Sequence, residues 1–251
     1  MAEALSYAGR DLESMSFARN YHRWILDLFA PRLGRRIVEV GAGSGSFSEL
    51  LLERSPESLA LVEPSPEMHG RLVENLRGAA RATRVSFHND TFARVARRLA
   101  ERERPDSVIY VNVLEHVEDD EAELRVVRET LGPGGRLFVF VPAFEWLYGS
   151  FDRQVGHRRR YTRRGLAEKC RRAGLEVVEA VYFDAAGVLP WWLKYRVLRS
   201  EEMEPAAVRF YDRFCVPVLR RVEALVPPPV GKNVLLVAEK PRRGGAEGRG
   251  A

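Results

Sequence analysis

The stretch RRIVEVGAGSGSFSELLLE, residues 35–53, decides the fold of this chain. Residues 37–40 are a short run rich in β-branched side chains, which predicts a buried β-strand. From Ser46 onward the apolar side chains recur at helical spacing. Between strand and helix stand three glycines at alternate positions, Gly41, Gly43 and Gly45. This order brings free backbone N–H groups and the positive end of a helix to one place, where a ligand can approach the backbone closely.

The position of the third glycine distinguishes two kinds of adenine cofactor. A dinucleotide-binding turn needs the pattern G-x-G-x-x-G, whose third glycine would fall where this chain has Ser46. The chain instead has acid-x-G-x-G-x-G, with Glu39 two residues before Gly41. An acidic side chain suits a ligand with an ammonium group, such as S-adenosylmethionine, and suits a pyrophosphate poorly. A glycine turn that binds no ligand is the alternative, since short motifs also occur without function.

The pattern resembles motif I of the class I S-adenosylmethionine-dependent methyltransferases. The resemblance implies that the cofactor contacts Glu39 and the residues of the turn, namely Gly41, Ala42, Gly43 and Gly45. In that family an N-terminal helix covers the cofactor site. The apolar periodicity predicts such a helix over residues 12–28, with Asp11 as its cap. Tyr21 of this helix is therefore expected to reach the methionine end of the cofactor.

An acidic residue also ends the second predicted strand, residues 59–62. This residue, Glu63, follows Gly41 by 22 positions. The carboxyl end of the second strand is where α/β cofactor folds bind ribose hydroxyl groups. A carboxylate accepts hydrogen bonds from both hydroxyls, each worth roughly 1.5–3 kcal/mol. Glu63 is therefore predicted to bind the ribose, although an ordinary exposed glutamate is the alternative.

Two further strand ends carry polar residues that the resemblance assigns to the cofactor. After the strand predicted at residues 85–88, Asp90 is expected to hydrogen-bond the exocyclic amine of adenine, and its neighbour Thr91 is assigned to the cofactor site as well. Asp90 also suits a helix cap, and the two roles are compatible. In the fourth strand, residues 107–113, Asn112 is expected to line the site beside the sulfonium. The carboxyl ends of parallel strands share one edge of a sheet, so these side chains are predicted to lie together.

The segment N-V-L-E-H that begins at Asn112 is typical of motif IV in small-molecule methyltransferases. Its Glu115 and His116 belong to residue types that ligate metals or transfer protons. No second histidine stands nearby at ligand spacing, so the sequence predicts no metal site here.

Strands that alternate with helices through residue 141 predict a parallel sheet with helices on both faces. Two more strands, at residues 175–183 and 233–239, complete the pattern of the resembling family. The resemblance implies an α/β, Rossmann-like three-layer sandwich with a seven-stranded, mostly parallel sheet whose last strand is antiparallel. We predict one domain over residues 12–240, with a helical cap inserted at 188–226 and a disordered tail at 241–251.

The second informative segment, residues 153–164, clusters six arginines around His157. A solvated basic loop, a site for an anionic acceptor and an RNA-binding surface are three interpretations. RNA is disfavoured, because aromatic side chains do not alternate with the arginines. The G-H-x-R-R-Y run at 156–161 is similar to a bacterial methyltransferase subfamily that often accompanies glycan or secondary-metabolite genes. Its substrates are mostly undefined.

We predict that this segment handles the acceptor through His157, Arg159 and Tyr161. A histidine has the right pKa to accept a proton near neutral pH, although it also serves to position other groups. Methyl transfer owes much of its acceleration to positioning, so a catalytic base is not required. The apolar cluster around Trp191 and Trp192 is predicted to close over the acceptor. Packing on the sheet or on a dimer partner, and contact with a membrane surface, are the alternatives.

Composition limits the remaining classes. The 251 residues carry a net charge of +5 and a hydrophobic content of 45%, both ordinary for a soluble domain, and they contain no membrane-spanning run. The N-terminus lacks the pattern of a signal peptide, and Cys170 and Cys215 stand far apart without metal spacing. These features predict a cytoplasmic monomer or homodimer with a small-molecule partner.

The predicted function is transfer of a methyl group from S-adenosylmethionine, by in-line displacement, to a small-molecule or glycan-type acceptor, for which an anionic group is one interpretation. An NAD-linked oxidoreductase is the alternative within enzymes. A non-catalytic partner subunit that binds the cofactor is the alternative from another class.

Overall fold

A computed structural model describes residues 18–78 and 83–242. Seven strands form one sheet in the order β3-β2-β1-β4-β5-β7-β6. The strands are β1 Arg36–Val40, β2 Ser58–Val62, β3 Arg84–His88, β4 Ser107–Val111, β5 Arg136–Pro142, β6 Glu176–Phe183 and β7 Asn233–Glu239. The first five pair in parallel, and β7 lies antiparallel between β5 and β6. The predicted Rossmann-like sheet is therefore confirmed.

Helices cover both faces of the sheet and bury its apolar side chains in two clusters. Along β1 the faces alternate, since Val38 and Val40 belong to one cluster and Ile37 to the other. The α-helices before β6 are Arg19–Phe29, Ser46–Leu52, Pro66–Asn75, Phe92–Arg102, Asp120–Thr130, Ser150–Gln154 and Arg163–Arg172. Short 3₁₀ turns occupy Ala30–Arg32, Leu114–His116 and Glu145–Leu147.

The observed boundaries differ from the predicted ones by a few residues at most positions. The first described helix begins at Arg19, after the non-helical Ala18, and residues 12–17 of its predicted length, with the predicted cap Asp11, lie outside the described residues. The fourth strand ends at Val111 rather than at residue 113, because Asn112 adopts a left-handed φ of 54°. Of the predicted tail, residues 243–251 also lie outside the described part of the chain.

Between β6 and β7 the chain forms a helical segment, which we call the cap. Its elements are Val188–Trp191, the π-helix Trp192–Val197, Pro205–Phe210, the π-helix Tyr211–Cys215 and Val216–Leu225. Several large apolar side chains of the cap are exposed, among them Leu198, Phe210, Phe214 and Leu225. None of the helices within the described ranges is both long enough and apolar enough to cross a membrane.

Candidate functional site

A cavity of about 150 Å³ opens at the carboxyl edge of the parallel strands. One side is formed by the glycine turn after β1, through Gly41 and Ala42. Another part of the lining is formed by His116, His157 and Arg160, from the segments after β4 and β5. The two predicted halves of the site, for cofactor and for acceptor, thus face one continuous space.

The glycine turn has the backbone conformation that its sequence requires. Gly41, Gly43 and Gly45 have φ angles of 70°, 55° and 95°, in the region that side chains of L-residues disfavour. The N–H groups of Gly41 and Ala42 donate to the carbonyl of Val62, which ties the turn to the neighbouring strand. The helix Ser46–Leu52 then begins directly at the cavity.

Glu39 is a buried acid in the wall of the cavity. One of its carboxylate oxygens accepts a hydrogen bond of 2.6 Å from the hydroxyl of Ser48. Burial raises the pKa of Glu39 to about 8, against the lowering effect of this hydrogen bond. A buried acid of this kind is suited to pair with a cationic group on a ligand.

Glu63, the residue predicted to bind the ribose, accepts a hydrogen bond from the glycine turn. Glu63 accepts a 2.8 Å hydrogen bond from the N–H of Gly43 and a 2.9 Å bond from the N–H of Ser65. Burial raises the pKa of Glu63, although these two bonds lower it. Glu63 is not part of the cavity lining, and neither are Asp90 and Thr91. Contacts of these three residues with the ribose and adenine stay predictions.

Asp90 and Thr91 begin the helix after β3. Asp90 accepts a hydrogen bond from the N–H of Thr91 and lies 3.5 Å from a guanidinium nitrogen of Arg94. Its carboxylate is partly exposed, so it is accessible to a ligand as well as to the helix.

Tyr21 and Asn112 both line the cavity, as their assignment to the cofactor site requires. The hydroxyl of Tyr21 lies 3.1 Å from Asp184 Oδ2 and 3.0 Å from Asn233 Oδ1, which fixes its ring against the sheet. Asn112 donates its backbone N–H to the carbonyl of Phe140 at 2.8 Å. Its left-handed conformation turns the chain away from the strand at the cavity edge.

On the acceptor side, Asp152 connects His157 and Arg160. Its oxygen Oδ1 lies 2.7 Å from Nδ1 of His157 and accepts a 2.8 Å bond from Nε of Arg160. A second bond links Oδ2 to the same guanidinium at 3.1 Å. Burial alone would raise the pKa of Asp152, but the bond to His157 and the charge of Arg160 lower it. Nδ1 of His157 therefore interacts with Asp152, and Nε2 is the ring nitrogen that can interact with a ligand.

The sequence predicted no metal site because no second histidine stands near His116 along the chain, but the structure brings one to it. His157, distant in sequence, lies beside Glu115 and His116, and potential ligand atoms of the three all lie within 4.8 Å of one another. Both carboxylate oxygens of Glu115 are buried without a hydrogen-bond partner among the described residues. Burial raises the pKa of Glu115 to about 7, and burial lowers the pKa of His116 to about 4.

The other two predicted acceptor residues point away from the cavity. A guanidinium nitrogen of Arg159 donates to the carbonyl of Glu118 at 2.7 Å, and another lies 3.1 Å from Asp120. Tyr161 is buried in the core, where its hydroxyl contacts Leu114 and Asp120. Neither residue belongs to the cavity lining, so this geometry does not favour the predicted roles of Arg159 and Tyr161.

The two tryptophans of the cap also separate. Trp191 lines the cavity and packs edge-on against Phe151, with ring centroids 5.4 Å apart. The guanidinium carbon of Arg160 lies 5.0 Å from the centre of the same indole ring. Trp192 is partly exposed and is not in the lining. Only Trp191 occupies the covering position predicted for both.

Several lining residues had not been predicted. Lys232 lies directly before β7, and its Nζ pairs with the buried Asp184 at 3.0 Å. Because β7 is antiparallel, its beginning lies at the same edge as the ends of the parallel strands. Arg160 is a second such residue, and the sequence offered only its place within an arginine cluster.

The residues of the turn fit S-adenosylmethionine. A Cβ at Gly41 would lie 2.4 Å from a methyl group of Val113, so the turn is kept free of side chains. Glu39 is a buried acid that would suit the ammonium group, and the helix that begins at Ser46 would direct its N-terminal end at the ligand.

Known proteins agree with this assignment. A family model described as a methyltransferase domain matches residues 12–180. A ubiquinone biosynthesis O-methyltransferase of Xylella fastidiosa is 33% identical over 110 residues, which are 43% of this chain and 42% of that protein. The chain thus matches less than half the length of this relative.

Solved structures agree on the fold. A SAM-dependent methyltransferase from Archaeoglobus fulgidus is similar with a TM-score of 0.59 at 16% identity, over 91% of this chain and 98% of that one. A second, described as a possible histamine N-methyltransferase from Thermotoga maritima, has a TM-score of 0.55 at 19% identity, over 93% and 96% of the two chains.

The glycine turn, the sheet order and these relatives together define an S-adenosylmethionine-dependent methyltransferase. The chain belongs to the methyltransferase-domain family whose model covers residues 12–180.

Proposed function

We propose that this enzyme methylates a hydroxyl oxygen of a small-molecule acceptor, bound between the glycine turn and the segment 152–160. One observation carries the proposal: a single cavity is lined both by Gly41 and Ala42 and by His157 and Arg160. Oxygen is chosen as the methylated atom because relatives such as the Xylella fastidiosa protein are named O-methyltransferases.

The walls favour an acceptor that is largely apolar. Phe140, Phe151 and Trp191 supply aromatic surface around the cavity. Its two cationic side chains, Arg160 and Lys232, are each bound to a buried aspartate. Charges neutralised in this way have little left to offer a phosphate or carboxylate, so an anionic acceptor finds less support here than a phenol-like one.

The arginines beyond the cavity diverge instead of meeting around one anion. Arg158 donates to the carbonyl of His116, Arg159 to that of Glu118, and Arg164 pairs with Glu168. These contacts favour the solvated-loop interpretation over a dedicated anion site.

When bound, S-adenosylmethionine supplies an electrophilic methyl group for in-line transfer, after which it is S-adenosylhomocysteine. The residues of this chain position the acceptor and deal with the proton of its hydroxyl. Asp152 holds the ring of His157 through Nδ1, so Nε2 faces the cavity side and Glu115. That nitrogen either accepts the proton directly or binds a cation that acidifies the hydroxyl.

A panel of phenols, catechols, aliphatic alcohols and amines, incubated with S-adenosylmethionine, tests this proposal. We expect acceptor-dependent formation of S-adenosylhomocysteine, fastest with an aromatic hydroxyl, and the methyl ether as product by mass spectrometry. Methylation of amines alone would contradict the oxygen assignment. Cofactor binding without turnover on any acceptor would favour the non-catalytic partner subunit. Stabilisation by NADH alone would favour the oxidoreductase.

The buried acid Glu39 leads to a separate prediction. With a pKa of about 8, its carboxyl is mostly protonated at pH 7. Pairing with the ammonium group of the cofactor favours the carboxylate, so binding of S-adenosylhomocysteine should release protons at pH 7. Affinity should therefore rise as the pH rises towards 8.

Calorimetry in buffers of different ionisation enthalpy measures this release directly. Glu39→Gln is the matched control, because it keeps the shape and has no proton to lose. Binding enthalpies that do not depend on the buffer in the native protein would remove Glu39 from the ammonium site.

The finer assignments follow from the resemblance of the G-H-x-R-R-Y run. We infer a bacterial small-molecule methyltransferase of the type that accompanies glycan or secondary-metabolite genes. A cytoplasmic location and a monomeric or homodimeric state are part of the same proposal. The domain limits 12–240 and the role of the cap 188–226 as an acceptor cover also belong to it.

A further inference from the structure

We propose that Glu115, His116 and His157 bind one divalent transition-metal ion of the zinc type. The donor set is two imidazoles and one carboxylate, which suits Zn²⁺ and similar ions and leaves coordination positions open for another ligand. The binding of the ion stands independently, and its part in catalysis rests on the proposed function.

The distances between the donors are close to those of a metal site. Nε2 of His157 lies 3.7 Å from Oε1 of Glu115, and one ligand atom from each of the three residues lies within 4.8 Å of the others. Zinc bonds of about 2.0–2.2 Å place neighbouring ligand atoms roughly 3.4 Å apart in a tetrahedron. Side-chain movements of about 1 Å or less would therefore close the three donors around an ion.

Each histidine ring has a hydrogen-bond partner outside the cluster. Nδ1 of His157 contacts Asp152 at 2.7 Å, and Asp152 is itself held by Arg160 and by the N–H of Gly149. The His116 ring is hydrogen-bonded to the backbone of Gly156. Histidines that ligate metals usually have such a carboxylate or carbonyl behind them, which fixes the tautomer and points the remaining nitrogen at the ion.

Glu115 supplies an independent observation. Its side chain is 0% exposed, and neither carboxylate oxygen has a hydrogen-bond partner among the described residues. A buried carboxylate without a hydrogen bond is costly, and proteins normally provide one with donors or with a cation. A metal ion between Glu115 and the two histidines would satisfy it.

The charge around the cluster also calls for a cation. Glu115 and Asp152 are two buried acids beside the histidines, and both hydrogen bonds from the Arg160 side chain to an acid of this pair go to Asp152. A divalent ion would offset the remaining negative charge, whereas an anionic ligand would add to it.

The position of the cluster in the cavity indicates a catalytic role for the ion. His116 and His157 line the same cavity as the glycine turn. A hydroxyl of the acceptor that binds the ion becomes more acidic and loses its proton to water. The new O–CH₃ bond then forms as the S–CH₃ bond breaks, and the electron pair of the broken bond stays on sulfur.

Titration of chelator-treated protein with Zn²⁺ in a calorimeter tests the binding. We expect one ion per chain, with an affinity at least about 100-fold higher than for Mg²⁺, which prefers oxygen ligands. Glu115→Gln, His116→Ala and His157→Ala should each weaken Zn²⁺ binding by at least about 100-fold. Asp152→Asn should weaken it by about 10- to 100-fold through the orientation of His157. His88→Ala, at a histidine outside the cluster, should bind like the native protein.

Folding of each variant is checked by circular dichroism, and Co²⁺ provides a second measurement. Visible absorption bands of bound Co²⁺ should appear in the native protein and in His88→Ala, and should change in Asp152→Asn. If Zn²⁺ fails to bind, or binds equally well to folded Glu115→Gln and His157→Ala, the metal site is refuted.

The outcome for the metal is separable from that for the function. Methyl transfer that continues unchanged after complete removal of metal refutes the part of the ion in catalysis and leaves the methyltransferase proposal standing. Failure of chelator-treated protein to take up Zn²⁺ refutes the site itself. Zn²⁺ binding at the three residues without turnover on any hydroxyl acceptor supports the site and refutes the proposed function.

Discussion

Gly41→Val is expected to abolish binding of S-adenosylmethionine while the sheet still forms. Gly41 has a φ of 70°, and a Cβ there would lie 2.4 Å and 3.0 Å from the two methyl groups of Val113. Left-handed strain costs about 1–2 kcal/mol, and overpacking a core adds about 1–3 kcal/mol. The turn can escape both costs only by leaving its conformation. We therefore expect affinity for S-adenosylhomocysteine to fall by at least about 100-fold.

Gly134→Val is the matched control for backbone strain. Gly134 has a φ of 78° in the turn before β5, at the opposite edge of the sheet. Its Cβ would meet the flexible side chain of Arg242. Both variants should therefore lose stability in thermal unfolding, but Gly134→Val should bind S-adenosylhomocysteine within about twofold of the native protein. Normal binding by folded Gly41→Val would mean that the glycine turn is only structural.

The fold was predictable because its determinants are local. Residues 37–40 and their counterparts in the other strands are short runs of apolar residues bounded by turn residues. Strands of a parallel sheet that are buried on both faces have this pattern, so the runs predict strands. Gly41 was predictable for a related reason, since its left-handed conformation is one that only glycine adopts easily. The predicted cofactor residues Tyr21, Glu39 and Asn112 all line the cavity.

The acceptor side was predicted less well because it is assembled across the sequence. His157 meets Glu115 because the segments after the neighbouring strands β4 and β5 run side by side, tied by the N–H of Arg158 on the carbonyl of Glu115. Spacing along the chain carries no trace of this contact. The order of strands does carry one, since adjacent parallel strands bring their following loops together.

The directions in which the side chains of the motif point were also not predictable from the sequence. Arg159 and Tyr161 were grouped with His157 because they share one short motif. In the structure Asp120 binds both Arg159 and the hydroxyl of Tyr161, on the side away from the cavity. Asp152 instead recruits Arg160 and His157. Tertiary packing determines which side chains bind Asp120 and which bind Asp152. The motif alone does not determine it.

His157→Ala is expected to lower turnover by roughly 100- to 10,000-fold, the range for loss of a group that handles a proton. Its affinity for S-adenosylhomocysteine should stay within about threefold, because the ring of His157 contacts Asp152, Glu115 and His116 rather than the glycine turn. Arg159→Ala is the control, since its guanidinium contacts Glu118 and Asp120. It should lose less than about fivefold, because Arg159 lies outside the cavity lining and Asp120 keeps its bonds to Tyr161 and Lys169. Equal large losses in both variants would restore the predicted role of Arg159.

Glu115→Gln then decides how His157 acts. If Nε2 of His157 accepts the proton without a metal ion, Glu115 only lies near it, at 3.7 Å. Glu115→Gln should then keep most of the turnover. If Nε2 ligates an ion, Glu115 is a ligand of the same ion, and its loss should equal that of His157. Because residues that act as a unit are not additive, the double variant should then be no slower than either single one. Turnover untouched in His157→Ala would place the acceptor elsewhere and contradict both forms of the mechanism.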